Sequence, residues 1–173
     1  MPWDMLCGKL KKLINSALAA ERTPNRWFWL NRRIKRIVAY YKRKFGTNDP
    51  LKIAQFLKIQ VYFCPLGNIA GNYVYIHRVK WIFVNSDIED DIFRQVVLAH
   101  ELGHAILHPK ENCAFMAHHT LLLTSRIERQ ANIFAAHLLI SDDLLMEFSD
   151  FTHSQFCDCT GFPEELLNLR FIE

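Results

Sequence analysis

The pentapeptide His100-Glu101-Leu102-Gly103-His104 lies in an otherwise apolar stretch, and its spacing favours metal chemistry. On a helix, positions i and i+4 are neighbours on one face, so His100 and His104 can direct two imidazoles at one point. Zinc binds imidazole nitrogens at about 2.0–2.1 Å and takes four ligands in a tetrahedron. Glu101 lies one position round the helix, where it can reach a water on the metal without binding the metal itself. The pattern predicts the helix of a zinc-dependent peptidase.

The flanking residues predict that this segment is a helix of sufficient length. Ser86 and Glu89 have the three-residue spacing of a capping box, which would start the helix there. Pro109 would prevent its continuation at the other end. Apolar residues between these signals supply faces that would bury the histidines, and buried imidazoles need partners such as a metal ion. The alternative is an amphipathic core helix that simply carries two histidines on its polar face.

A zinc peptidase needs a third protein ligand and leaves the fourth position for water. An extended motif with Gly at 107 and His at 110 is excluded, because these positions hold Leu107 and Lys110. A carboxylate from a later helix is the other source, and residues 127–139 form a strongly helical segment that offers Glu128. Asn132 lies four residues further on the same face, from which its carbonyl can hold a ligand histidine. We therefore predict that Glu128 is the third ligand, supported by Asn132.

Two alternatives to this ligand set stay open. Ser125 and Glu128 match a second capping box, in which the carboxylate would merely close the start of a helix. His108 shares a face with His104, but four residues of helix carry it about 6 Å along the axis. His137 is most simply a polar position on the second helix.

These assignments predict a mechanism with one zinc ion per chain. Zinc lowers the pKa of its bound water towards about 7, and Glu101 would accept a proton as that water attacks the scissile carbonyl. Glu101 would then pass the proton to the departing amine. His118 and His119, in a predicted loop, and Tyr73 and Tyr75, in a predicted strand, are candidates for contacts with the oxyanion or the substrate.

The two motifs together resemble the ImmA/IrrE metallopeptidase family. Residues 100–104 followed by residues 128–136 carry the resemblance, and Asp49-Pro50, Ile53-Ala54 and residues 59–61 are similar to the way that family's domain opens. The likeness covers roughly residues 35–140.

The resemblance implies a zinc-dependent, site-specific endopeptidase whose substrate is a helix-turn-helix repressor. Cleavage would derepress a mobile genetic element or a stress regulon in bacteria. It also implies that His100, His104 and Glu128 bind the zinc and that Glu101 is the catalytic acid/base. The family often continues with Leu-Leu-Met-Pro where this chain has residues 138–141, Leu-Leu-Ile-Ser, so the C-terminal part is expected to differ while the metal site is unaffected.

Length and composition agree with a small cytoplasmic enzyme. The 173 residues are 50% hydrophobic, enough for one substantial core, and no apolar run approaches the roughly 18 residues that span a membrane. Residues 9–20 predict an amphipathic helix rather than a signal peptide, because polar residues interrupt the apolar stretch. Five cysteines without a C-x-x-C pair favour a reducing compartment. Cys157 and Cys159 near His153 are interpreted as free thiols rather than as a second metal site.

Positive charge is concentrated at the N-terminus, where residues 1–50 carry twelve of the 21 Lys and Arg but three of the 18 Asp and Glu. The cluster over residues 32–44 predicts a basic helix whose apolar stripe packs on the domain. Docking of this region on nucleic acid or on an acidic partner is the less favoured interpretation, because no DNA-reading motif supports it.

The remaining segments predict an α+β fold. A short helix opened by Asp49 and Pro50 is followed by three strand-like runs, at residues 60–63, 72–76 and 80–84. We expect a small antiparallel β-sheet packed beside the HExxH helix, a loop near residues 109–122, and helical N- and C-terminal regions. An exposed edge strand beside the metal would let an extended substrate add to the sheet.

The charge pattern also suggests a division into a basic and aromatic extension, residues 1–30, and a metallopeptidase domain, residues 31–173.

Two functions of other classes stay open. A zinc-binding interaction module could regulate a repressor without proteolysis, although Glu101 argues against it because binding alone needs no base. A nucleic-acid-binding protein led by the basic region would show a steep salt dependence of its DNA affinity.

Overall fold

The structure, a computed structural model, describes residues 26–111, 113–116 and 126–171, and it confirms the α+β class. The described part of the chain contains seven helices and four strands. In order they are α1 (Arg26–Phe45), α2 (Pro50–Phe56), β1 (Gln60–Cys64), β2 (Ile69–Ile76), β3 (Val79–Asn85), α3 (Asp91–Leu107), β4 (Cys113–Met116), α4 (Arg126–Leu139), α5 (Asp142–Glu147), α6 (His153–Thr160) and α7 (Glu164–Asn168).

The sheet is mixed, with strand order β1-β3-β2-β4, and this corrects the expectation of an antiparallel sheet. His77 and Arg78 both have positive φ and form the tight turn that makes β2 and β3 an antiparallel hairpin. β4 extends the hairpin next to β2, also antiparallel. β1 joins the remaining edge, at β3, and there it runs parallel. Strand β4 lies inside the segment predicted as a loop, because four residues are too few to show a period.

The helix that carries the HExxH pentapeptide, α3, begins later than the capping box predicts. Asp90 is its N-cap, and the Asp90 carboxylate accepts hydrogen bonds from the N–H groups of Ile92 and Phe93 at 2.8 and 3.1 Å. The prediction that Ser86 starts the helix is therefore wrong. The turn at Ser86 is held by Asn85, whose side-chain oxygen accepts from the N–H of Asp87 at 3.0 Å, so the chain there is not free to be helical.

Helix α3 ends at Leu107, as Pro109 predicts, and a residue of β3 bonds one of its last carbonyl groups. Since a proline has no N–H, it cannot bond the carbonyl four residues earlier, which is that of Ala105. The ammonium of Lys80 donates to this carbonyl at 2.6 Å instead. Burial lowers the pKa of Lys80. A cation from the sheet therefore serves as the C-terminal cap of the helix.

The core lies on both sides of α3. One side packs on strands β2 and β3, and the other packs on α4, which is covered in turn by α1. Ile34 and Val38 of α1 are 1% and 2% exposed, which confirms that the apolar stripe of the basic helix packs on the domain. α1 also runs through the predicted boundary at residue 30, and residues 1–25 lie outside the described part, so the separate extension stays a prediction.

None of the helices that the structure describes combines the length and apolar character required to cross a bilayer.

Candidate active site

The second half of α3 and the first turn of α4 bring His100, His104 and Glu128 together. The Nε2 atoms of the two histidines are 2.9 Å apart, and Oε2 of Glu128 lies 3.1 Å from the first and 3.3 Å from the second. Both rings are fully buried. Within the described ranges, these three residues are the ones whose ligand atoms lie close enough together to hold a metal ion.

The geometry fits a tetrahedral metal site. Ligand bonds of about 2.0–2.1 Å place neighbouring ligand atoms roughly 3.3 Å apart, close to the separations that join the two imidazoles and the carboxylate. Nδ1 of His100 lies 2.6 Å from the side-chain oxygen of Asn132. An amide oxygen can only accept, so Nδ1 carries the hydrogen and Nε2 keeps its lone pair for the site. Asn132 therefore lies within hydrogen-bonding distance of His100, and its role in supporting a metal ligand stays a prediction.

The electrostatics of the cluster suit a metal as well. Burial by itself would raise the pKa of Glu128, but hydrogen bonds and charge from the two histidines lower it to about 2. Burial lowers the pKa of His104, an effect that Glu128 opposes and His100 reinforces. At neutral pH the site therefore offers an ionised carboxylate and a neutral His104, which are the forms that bind metal ions.

The orientation of Glu128 bears on its alternative interpretation as a capping residue. The carboxylate faces the two imidazoles across the α3–α4 interface and is 16% exposed. Ser125, the other half of the predicted capping box, lies outside the described residues. The structure therefore shows Glu128 as a partner of the histidines, and its role as a metal ligand is taken up below as a proposal.

Glu101 lies beside the cluster on the face of α3 that meets the sheet. It is fully buried, and among the described residues neither carboxylate oxygen has a regular hydrogen bond. Burial raises the pKa of Glu101 well above its usual range, the charge of Glu128 adds to this, and the peptide N–H of Tyr73 opposes it. A buried carboxyl group with such a pKa is suited to exchange protons rather than to stay ionised.

The four residues predicted to contact the oxyanion or the substrate are not shown to share one position at the site. The hydroxyl of Tyr73 is buried and donates to the carbonyl of Pro109 at 2.8 Å, which gives it a structural partner. Tyr75 is partly buried and lies on the same face of β2. His118 and His119 lie outside the described residues. An oxyanion or substrate contact by any of the four stays a prediction.

Two other histidines have positions that the sequence left undecided. His108 is the C-cap of α3, with its ring centroid 6.1 Å from that of His104, and it is not part of the cluster. His137 is buried rather than simply polar, between Asn31 of α1 and Arg170 near the C-terminus. Cys157 and Cys159 form no disulfide in the described part of the chain, and their interpretation as thiols outside any metal site stays a prediction.

Sequence reasoning missed Gly71, which packs directly against Glu101 from strand β2. An isolated glycine inside a strand pattern is a known signal of close backbone approach, and the run Ile-Ala-Gly-Asn-Tyr over residues 69–73 carries it.

Comparisons with known proteins identify the class. The IrrE N-terminal-like domain, the characteristic domain of peptidase family M78, matches residues 54–155. The chain therefore belongs to this family of metallopeptidases, which confirms the resemblance seen in the sequence.

Two relatives have names that bear on function. The chain is 36% identical to the uncharacterized immunity region protein 2 of Bacillus phage phi105 over 140 residues, which is 79% of this chain and 88% of that protein. It is 30% identical to metallopeptidase ImmA of Bacillus subtilis strain 168 over 116 residues, which is 66% of this chain and 67% of that protein.

Proposed function

We propose that this chain is a zinc-dependent, site-specific endopeptidase that cleaves a helix-turn-helix repressor and so derepresses a mobile genetic element or a stress regulon. The observation that carries the proposal is the convergence of His100, His104 and Glu128 beside the buried carboxyl group of Glu101. Membership of a metallopeptidase family supports the peptidase part of the proposal.

Each residue of the site has a defined task in this proposal. His100, His104 and Glu128 hold the zinc ion, which supplies Lewis-acid chemistry by acidifying water and polarising a carbonyl group. Asn132 fixes the ring of His100 through its 2.6 Å hydrogen bond. Glu101 holds and transfers the proton at its carboxylate. Its burial keeps bulk water from competing for that proton, because the carboxylate is enclosed between α3 and strand β2.

The sheet offers a way to bind an extended substrate. β4 is the edge strand next to β2, and Phe115 of β4 is paired with Gly71, which contacts Glu101. A peptide that adds to β4 as a further strand would run beside the proposed site. We propose that the scissile segment of the repressor binds there.

The names of the relatives support the choice of substrate. The phage relative is named for an immunity region, which fits the control of a mobile genetic element, and the Bacillus subtilis relative is named a metallopeptidase. A protease that acts on one regulatory protein is expected to make one dominant cut and to leave general substrates such as casein nearly intact.

The test is incubation of the purified chain with the helix-turn-helix repressor encoded nearest to its gene, with the products analysed by mass spectrometry. We expect a single cut that a chelator abolishes and added zinc restores. Glu101→Gln should reduce the rate of cleavage by about 10²–10⁴-fold, as is typical for the loss of a general acid–base group. The same variant should retain zinc and bind the repressor, because Glu101 is not a proposed ligand.

The result that would overturn the proposal concerns the same variant. If Glu101→Gln relieves repression as well as the wild-type protein does, proteolysis is not the mechanism, and the chain regulates its repressor by binding alone.

A further inference from the structure

Gly71 is a buried glycine in strand β2, next to an irregularity in the pairing with β4 between Ile69 and Gly71, and its φ does not require a glycine. Its φ lies outside the left-handed region, which among the described residues is occupied by three other glycines and by Lys58, His77 and Arg78. Glycine weakens a strand relative to alanine, so a strand position whose φ is open to any residue gains no stability from glycine. The reason for glycine at this position must therefore lie in what surrounds it.

The surroundings of Gly71 are two side chains of the active-site helix α3. A Cβ atom placed on Gly71 would lie 2.6 Å from Cγ1 of Val97 and 3.0 Å from both Cγ and Oε1 of Glu101. Val97 and Glu101 are one helical turn apart and face β2 together. The contact with Val97 is ordinary core packing, whereas the contacts with Glu101 involve the side chain that we assign to proton transfer.

The carboxylate of Glu101 also interacts with the peptide N–H of Tyr73 on the same strand, β2. Neither carboxylate oxygen has a regular hydrogen bond within the part of the chain that the structure describes. Contact with the bare backbone of Gly71 therefore limits how closely the carboxylate approaches the sheet. A methyl group in that space would require the side chain of Glu101 to move by a few tenths of an ångström or to change its rotamer, because 3.0 Å is closer than an ordinary van der Waals contact.

A second close approach lies on the other side of α3. A Cβ atom on Gly103 would be 3.1 Å from Cα and 3.2 Å from the carbonyl oxygen of Ala131, so Gly103 sets the distance between α3 and α4. α4 carries Glu128 and Asn132. The two glycines thus face different parts of the site, and alanine substitutions at them should have different effects.

We propose that Gly71 is a positioning residue for the reaction: the absence of a side chain there sets where the carboxyl group of Glu101 stands relative to the substrate. The inference rests on the proposed function, since it assumes that Glu101 transfers the proton. The three atoms nearest to a Cβ atom on Gly71 belong to Val97 and Glu101, and neither residue is a proposed metal ligand.

The experiment compares four proteins with the wild type: Gly71→Ala, Val97→Ala, the double variant with both changes, and Gly103→Ala. Val97→Ala removes the atom that would lie 2.6 Å from the new Cβ at position 71. The double variant therefore keeps only the close contact between that Cβ and Glu101. For each protein we would measure zinc content, the urea midpoint, and kcat and KM on the repressor. Crystal structures of the wild type and the double variant complete the set.

We expect the double variant to recover the urea midpoint lost in Gly71→Ala and to bind zinc fully. Its kcat should stay about tenfold below that of Val97→Ala with KM unchanged, since a shift of about 1 Å in a catalytic group can cost about 10²-fold and the shift needed here is smaller. Gly103→Ala should instead lose zinc, because it separates α3 from α4. In the crystal, the carboxylate of Glu101 should be displaced in the double variant.

A merely structural role for Gly71 predicts that the double variant regains kcat together with stability. A kcat within about twofold of that of Val97→Ala, or a carboxylate of Glu101 in its wild-type position, would overturn the proposal. If even the wild-type protein cleaves nothing, the proposed function fails, whereas the crystal structures still decide whether Gly71 positions Glu101.

Discussion

Glu128 has two interpretations in the sequence, and the choice between them depends on contacts that no local pattern records. As a capping residue it would bond N–H groups of its own helix, but its carboxylate lies 3.1 and 3.3 Å from the imidazoles of another helix. The pair His100 and His104 is different, because their spacing alone places them together on any helix. The pair of histidines could be predicted from spacing alone. Glu128 was predicted as their partner too, but only the packing of α3 on α4 shows its carboxylate beside the imidazoles.

Glu128→Ala separates the two roles. If Glu128 is a ligand, the variant should hold far less than one zinc per chain after dialysis, because two protein ligands remain. If it is only a cap, zinc should stay bound and the apoprotein should lose about 1 kcal/mol of stability. Elemental analysis and urea unfolding of the metal-free protein measure the two quantities. Asn168→Ala, at an exposed position of α7, is the control and should change neither.

At the scale of elements, the start of α3 shows that tertiary contacts decide which of two possible N-cap residues begins a helix. Ser86 and Asp90 are both good N-cap residues, and the capping box favoured Ser86. The side chain of Asn85 decides against it, since it bonds the N–H groups of Leu66 and Asp87 and the carbonyls of Gly67 and Ile69. These bonds fold residues 85–87 into a turn.

The caps can be compared directly by substitution. Asp90→Ala should lower the free energy of unfolding by about 1 kcal/mol, because the N–H groups of Ile92 and Phe93 lose their acceptor. Ser86→Ala should change it by no more than about 0.5 kcal/mol, as expected of an exposed position without a cap role. Urea unfolding of both variants would measure this, and an equal loss in the two would contradict the assignment of Asp90 as the cap.

Strand β4 and the pairing of the strands escaped prediction for a similar reason. The strand runs of β2 and β3 were found because turn residues and β-branched or aromatic side chains mark them locally. The parallel pairing of β1 with β3 and the addition of β4 to β2 depend on which edge of the hairpin is free, and this is a property of the assembled sheet. The sequence thus predicts the individual strands better than it predicts which strands pair with each other.

At the scale of the whole molecule, a buried polar network joins helix α1, helix α4 and the C-terminal end of the described residues. Nε2 of His137 lies 2.6 Å from the side-chain oxygen of Asn31 in α1, and Nδ1 lies 2.7 Å from the guanidinium of Arg170. Arg170 also donates to the carbonyl of Ile140 at 2.7 Å and pairs with Asp142. Since Asn31 accepts and Arg170 donates, His137 is neutral with its hydrogen on Nε2.

This network predicts a pH dependence of stability. Burial and the charge of Arg170 lower the pKa of His137 to about 3, whereas an unfolded histidine has a pKa of about 6.5. The unfolded state therefore binds more protons below pH 6.5. Stability from this residue is complete above that pH and is lost as the pH falls towards 3, by up to about 1.4 kcal/mol per unit.

His137→Gln tests this, because an amide can still donate to Asn31 but does not titrate between pH 7 and 4. We expect the variant to be less stable than the wild type at pH 7 and to lose stability less steeply on acidification, as measured by urea unfolding in EDTA so that release of metal does not contribute. The lowered pKa values of His104 and His108 affect both proteins and cancel in the difference. Parallel stability curves from pH 7 to 4 would show that His137 is not the residue that makes the fold sensitive to acid.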